Sequence, residues 1–209
     1  MKIIQKISFE SAKYISQKLG HNNQKRAVLY FGFQGIYGDV SKLSIIILVS
    51  LILKSLLPSL IIAITFAFLR KKAGGFHMKT EAGCTLFTLC ICVIPGTMIR
   101  YLSLKASFTT AVFAILAIYV FCFICLLKYA PRGSKNRTIT DIYEIREFKK
   151  KSVLSLIFLA IICMIFVFLT PEVSISICVG CLLEVITITP FVCDFIEEKK
   201  TSNNIDCLF

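Results

Sequence analysis

A histidine and a cysteine stand seven residues apart, His77 and Cys84, in the stretch RKKAGGFHMKTEAGC from Arg70 to Cys84. Imidazole moves protons near neutral pH, and a thiolate is a strong nucleophile. Together they are the minimum set for covalent acyl transfer, with His77 as general base and Cys84 as the attacking sulfur. Arg70, Lys71, Lys72 and Lys79 make the surroundings electropositive. Cys84 follows Gly83 where an apolar helix is expected to begin, so first-turn backbone N–H groups could favour the thiolate. Seven residues of unbroken helix rise about 10.5 Å, too far for the two side chains to meet. The chain must therefore fold back between them, and Gly74, Gly75 and Gly83 permit that. Taken alone, the pair also suits a surface histidine near a packed cysteine. A metal reading fares worse: zinc takes three or four ligands, and the chain offers only His21 and His77. The CxxC spacing at Cys178 and Cys181 falls inside an apolar run and reads as helix packing. No metal and no cofactor is expected.

The elements that must hold this loop are read from hydropathy. The chain has 209 residues, 56% of them hydrophobic, a formal charge of +12 and a mean hydropathy of +0.79. Several apolar runs near twenty residues place it among integral membrane proteins, all-α and of a single domain. Its cations lie between those runs instead of across one face, a pattern of topology and anionic-lipid contact, not of nucleic-acid binding. Most of the ten cysteines lie in apolar segments and behave as small hydrophobes.

Residues 1–26 alternate Ile3, Ile4, Ile7, Tyr14, Ile15 and Leu19 with lysines at helical spacing. This predicts an amphipathic helix in the headgroup layer, with a solvated helical tail as the alternative, and not a cleavable signal peptide. Residues 27–39 read as a short lead-in helix in which Gly32, Gly35 and Gly38 permit close approach. Six spans are expected: 40–53, 56–69, 84–99, 106–127, 152–169 and 174–196. The first pair is short, about 21 Å each against a core of about 30 Å. It could extend backwards through Gly38, tilt, or form a re-entrant hairpin. Lys54 is expected at the turn within this pair, snorkelling to the outer interface.

Cations concentrate in residues 1–26, in 70–83 and in 128–151, the last holding eight basic and three acidic side chains. The positive-inside rule puts all three segments, and both termini, in the cytoplasm of a multi-pass cell-membrane protein. Arg100 and Lys105 are the mild exception. Within the membrane, Gln34 is expected to bond to a neighbouring element. Glu184 is an ionisable group at membrane depth that could orient His77, pair with Lys54, bind Gln34 or form a purely structural pair. Arg70 could stabilise an oxyanion, grip substrate or only mark the interface. The 128–151 loop reads as a lipid and topology anchor, or as a grip on an acidic peptide tail.

These residues resemble the accessory gene regulator protein B family, the membrane endopeptidases of Gram-positive quorum sensing. Arg70, Gly75, His77 and Cys84 stand at the family's spacing. So do Gly32, Phe33 and Gln34, then Tyr129, Ala130 and Pro131, and the run GCLLEVITITP from Gly180 to Pro190. The likeness covers essentially the whole chain. It departs at Asn136, Arg137, Thr138 and Ile139, where the family often carries Lys-Pro-Ile, and this bears on substrate details. The resemblance implies that Cys84 is the nucleophile and His77 the general base; Arg70, Gly75, Gln34 and Glu184 are the candidates for substrate binding or transition-state support. It implies cleavage of the C-terminal tail of a short propeptide, an acyl-thioester on Cys84, and closure of a thiolactone by a thiol of the propeptide. The expected partners are that propeptide, an anionic membrane and a second copy in a symmetric homodimer. Two other classes compete: a small transporter or peptide exporter using Lys54 and Glu184, and a scaffold without chemistry.

Overall fold

The computed structural model describes residues 2–75, 80–101, 108–131 and 142–189. Among the described residues there are seven elements, all α-helices: α1 (Lys2–Lys18), α2 (Asn23–Ile52), α3 (Leu56–Ala73), α4 (Glu81–Tyr101), α5 (Phe108–Tyr129), α6 (Ile142–Leu169) and α7 (Pro171–Ile188). Five of them, α2 and α4 to α7, are long and apolar enough to cross a membrane. The 18 residues of α3 end on Arg70, Lys71 and Lys72, which charges its last turn. The chain is an all-α polytopic membrane protein.

Helix α1 folds back onto α2 through Gly20, whose φ of +61° closes the turn, and Asn22, which caps α2 by accepting from the Lys25 N–H. Its buried side is a seam of small residues, Ser8, Ala12 and Ser16, four apart. Ser11 and Tyr37 share a hydrogen bond at 3.0 Å across that contact. Ile3, Ile7, Tyr14 and Leu19 stay exposed, the side an interfacial helix offers to lipid.

The lead-in segment and the first span are one helix. At 30 residues α2 is about 45 Å long, so the backward extension through Gly38 is the form the chain adopts. Among the described residues nothing lies within 4 Å of a Cβ built at Gly32, Gly35 or Gly38, so within the described bundle these glycines do not serve the close approach expected of them. Lys54, at φ +54°, makes the turn into α3, as its expected place at the hairpin tip requires. The start of α6 also differs from expectation, lying ten residues before Ser152. The segment IYEIREFKKK is rich in good helix formers and carries a Glu147–Lys151 pair at 2.6 Å, so the helix propagates well beyond its apolar part.

At the centre is α3, packed against α2, α4, α6 and α7. Its buried stripe, Ile62, Phe66, Leu69 and Ala73, has the spacing of one helical face. Two glycines let neighbours close on it. A Cβ at Gly96 of α4 would stand 2.8 Å from the Ser59 backbone, and one at Gly180 of α7 would stand 2.9 Å from Thr65 Cβ. Cys92, Cys122, Cys125, Cys163, Cys178 and Cys181 are buried free thiols that fill the helix contacts, whereas Cys90 is exposed.

The contacts also fix direction. Tyr101 at the end of α4 donates to the Leu53 carbonyl in the α2–α3 turn. Arg100 pairs with Glu172 at the start of α7, at 3.6 Å. At the opposite end Lys72, in the last turn of α3, meets Ser155 at the middle of α6, at 2.6 Å. Helices α3 and α7 therefore run parallel and finish together.

Candidate active site

The end where α3 and α7 finish is where the chemistry-bearing residues gather. Glu184 lies on the buried stripe of α7, one turn beyond Gly180, and its side chain is fully buried. Its Oε2 faces Arg70 Nη1 of α3 at 3.4 Å. Thr187 Oγ1 donates to the Glu184 carbonyl at 2.8 Å and lies 3.3 Å from Oε2. Glu184 Oε1 is buried and has no hydrogen-bond partner among the described residues. The Arg70 guanidinium also sits over the Phe66 ring, 5.3 Å from its centroid. Sequence reasoning named Arg70 and Glu184 separately; it did not pair them, because they stand 114 positions apart.

Of the partners considered for Glu184, Lys54 is corrected by this geometry. Lys54 stands in the turn before α3, whereas Arg70 lies about 21 Å along that helix from Leu56. Gln34 is half buried on α2, and the charged group that meets Glu184 is Arg70. His77 lies outside the described residues.

Gly75 closes over the pair. Its φ of +133° is open to glycine and strained for other residues. A Cβ there would stand 3.3 Å from both Arg70 Nη1 and Glu184 Oε1, and 3.4 Å from Thr187 Oγ1. Six residues later the chain enters α4 at Glu81, within about 20–22 Å of Gly75 at most, and the far end of α4 meets Leu53 at the opposite end of the bundle. Cys84 is thus at this same end.

Helix α4 begins at Glu81, three residues before Cys84, where the sequence reading put its start. Thr80 is the reason: its Oγ1 accepts from the Gly83 N–H at 3.1 Å and its carbonyl accepts from the Cys84 N–H at 3.0 Å. Those two amides are therefore spent on the cap and the first helical bond, and do not serve the sulfur. Cys84 still lies in the first turn of α4. It is a free, half-buried cysteine. The signal that could have found the cap is Thr80 itself, a preferred capping residue before an apolar run.

The comparisons with known proteins agree with the resemblance. The family model described as accessory gene regulator B matches residues 9–188. An AgrB-like protein of Clostridium perfringens is 26% identical over 196 residues, covering 90% of this chain and 92% of its own. The accessory gene regulator protein B of Staphylococcus lugdunensis is 25% identical over 202 residues, covering 96% of this chain and all of its own. Protein FsrB of Enterococcus faecalis is 27% identical over 170 residues, covering 79% and 63%. No solved structure matches. With a family model covering so much of it, and relatives aligned along nearly its full length, this chain belongs to the accessory gene regulator B family.

Proposed function

We propose that the protein is a membrane cysteine endopeptidase that matures a short signalling propeptide. The observation that supports it most is the placement of Cys84: a free, half-buried thiol in the first turn of α4, at the end of the bundle that holds the Arg70–Glu184 pair. Cys84 Sγ attacks the carbonyl carbon before the propeptide tail, and His77 takes the thiol proton. The tetrahedral adduct collapses, the C–N bond breaks, and His77 returns the proton to the departing amine. The acyl group remains on Cys84 as a thioester. A thiol within the propeptide then attacks this carbonyl, giving up its proton, and Cys84 leaves as the regenerated thiol while a thiolactone closes.

Exchange of one thioester for another is nearly balanced, so ring closure needs no coupled energy source. Forming a thioester from an amide is uphill, so water must be kept from the adduct while tail and ring depart. A site at the membrane surface, fed by an amphipathic peptide, meets that need. On this reading the bundle end carrying Arg70, Lys71, Lys72, Lys128 and Lys149–151 faces the cytoplasm of the cell membrane. The loops 70–83 and 128–151 and both termini lie on that side. The opposite end carries Arg100, which Glu172 partly neutralises. A symmetric homodimer is the proposed assembly.

The test is mass spectrometry of purified protein mixed with candidate propeptide. An acyl adduct on Cys84 is expected. Cys84→Ala and His77→Ala should each abolish cleavage while inserting normally; full processing by either variant would sink the assignment. The transporter reading predicts instead that Cys84→Ala protein moves peptide across sealed vesicles with no covalent adduct.

A further inference from the structure

Glu184 and Arg70 form a charged pair on the floor beneath Gly75, and the charge needs a reason. A fully buried carboxylate is costly at this depth, and a buried ion pair adds little stability over well-packed apolar side chains. The packing of α3 on α7 does not require it, since Gly180 against Thr65 and the apolar stripes already join the two helices. What the pair does touch is the start of the loop. Gly75 rests on Arg70 Nη1 and Glu184 Oε1 in a left-handed conformation, and Oε1, with no hydrogen-bond partner among the described residues, is turned to that same spot. One residue of chain, Phe76, then separates Gly75 from His77.

We propose that Glu184 is a positioning residue, which holds the Arg70 guanidinium under Gly75 and so fixes the backbone at Gly75, two positions before His77 in the sequence. The inference rests on the cysteine-endopeptidase reading above. Its consequence is that the charges matter to turnover separately from their effect on folding. A pair that served only the fold could be replaced by apolar side chains of similar volume without kinetic loss, because no buried charge would be left uncompensated.

Propeptide cleavage and thermal unfolding are measured in lipid nanodiscs for wild type, Glu184→Gln, Glu184→Asp and the double variant Arg70→Met/Glu184→Leu. Turnover is expressed per folded molecule. Glu184→Gln should lower kcat at least tenfold with KM within twofold of wild type, and Glu184→Asp should recover part of that loss. The double variant should unfold near the wild-type temperature yet stay at least tenfold down in kcat. A double variant that regains both stability and turnover overturns the proposal, as does folded Glu184→Gln protein with wild-type kcat. A rise in KM alone also overturns it, because that marks substrate binding and not positioning. Should Glu184→Gln fail to fold, Glu184→Asp and the double variant decide between the same outcomes. Cleavage by Cys84→Ala protein would strike at the endopeptidase reading itself, and is measured alongside.

Discussion

At the scale of single residues, the site is built from small side chains that fix backbone and from charges held inward. Gly75 shows the first: its φ of +133° and the atoms crowding the Cβ position leave no relaxed place for alanine. Gly75→Ala carries a backbone cost of about 1–3 kcal/mol. It should insert and fold but cleave propeptide at least tenfold more slowly, measured by product formation in membranes. Thr80 shows the value of a cap. Thr80→Ala removes the acceptor for the Gly83 N–H and should cost about 1 kcal/mol, seen as a small drop in Tm. Cys84→Ser should be nearly inactive, because a hydroxyl does not ionise beside a histidine as a thiol does.

At the scale of helices, α3 is held by two close approaches that permit no side chain. At Gly96 the obstacle is the Ser59 backbone itself, which cannot rotate away as a side chain can. Gly96→Ala and Gly180→Ala should each destabilise by roughly 1–3 kcal/mol, measured as lower unfolding temperatures in detergent. Gly32→Ala is the contrast. Its Cβ would meet nothing among the described residues, and alanine is the better helix former by about 1 kcal/mol. Monomer stability should therefore hold or rise; a fall confined to the associated form would place a second copy against α2.

At the scale of the whole molecule, the two ends of the bundle differ in charge, and the proposed sidedness follows from that difference. Lys54→Cys, in the exposed turn before α3, should react with an impermeant thiol reagent in intact cells. Lys71→Cys, exposed at the other end of α3, should react only after permeabilisation. If the cations of 128–151 grip an acidic tail, propeptide binding should weaken as salt rises, since exposed charges more than about 8–10 Å apart are screened at physiological ionic strength.

Much of this was legible in the sequence because it depends on local pattern. Hydropathy over twenty residues marks the helices, and Thr170, Pro171 and Glu172 mark the last turn, with Pro171 at the first helical position. For His77 to reach Cys84 the chain must turn between them, a condition set by helical rise alone; His77 lies outside the described residues. Helix limits were less legible where polarity and helix propensity disagree. The segment before Ser152 is charged and yet a strong helix former, and the glycines of α2 cost too little to end an apolar helix. Which charge meets which was not legible at all. Arg70 and Glu184 meet because α3 and α7 run parallel in a register set by Gly180 against Thr65, and that register belongs to the packed bundle, not to either helix alone. The sequence by itself determined the class of protein and the residues able to do chemistry; only the tertiary structure decided that Glu184 is Arg70's partner and that both lie under Gly75.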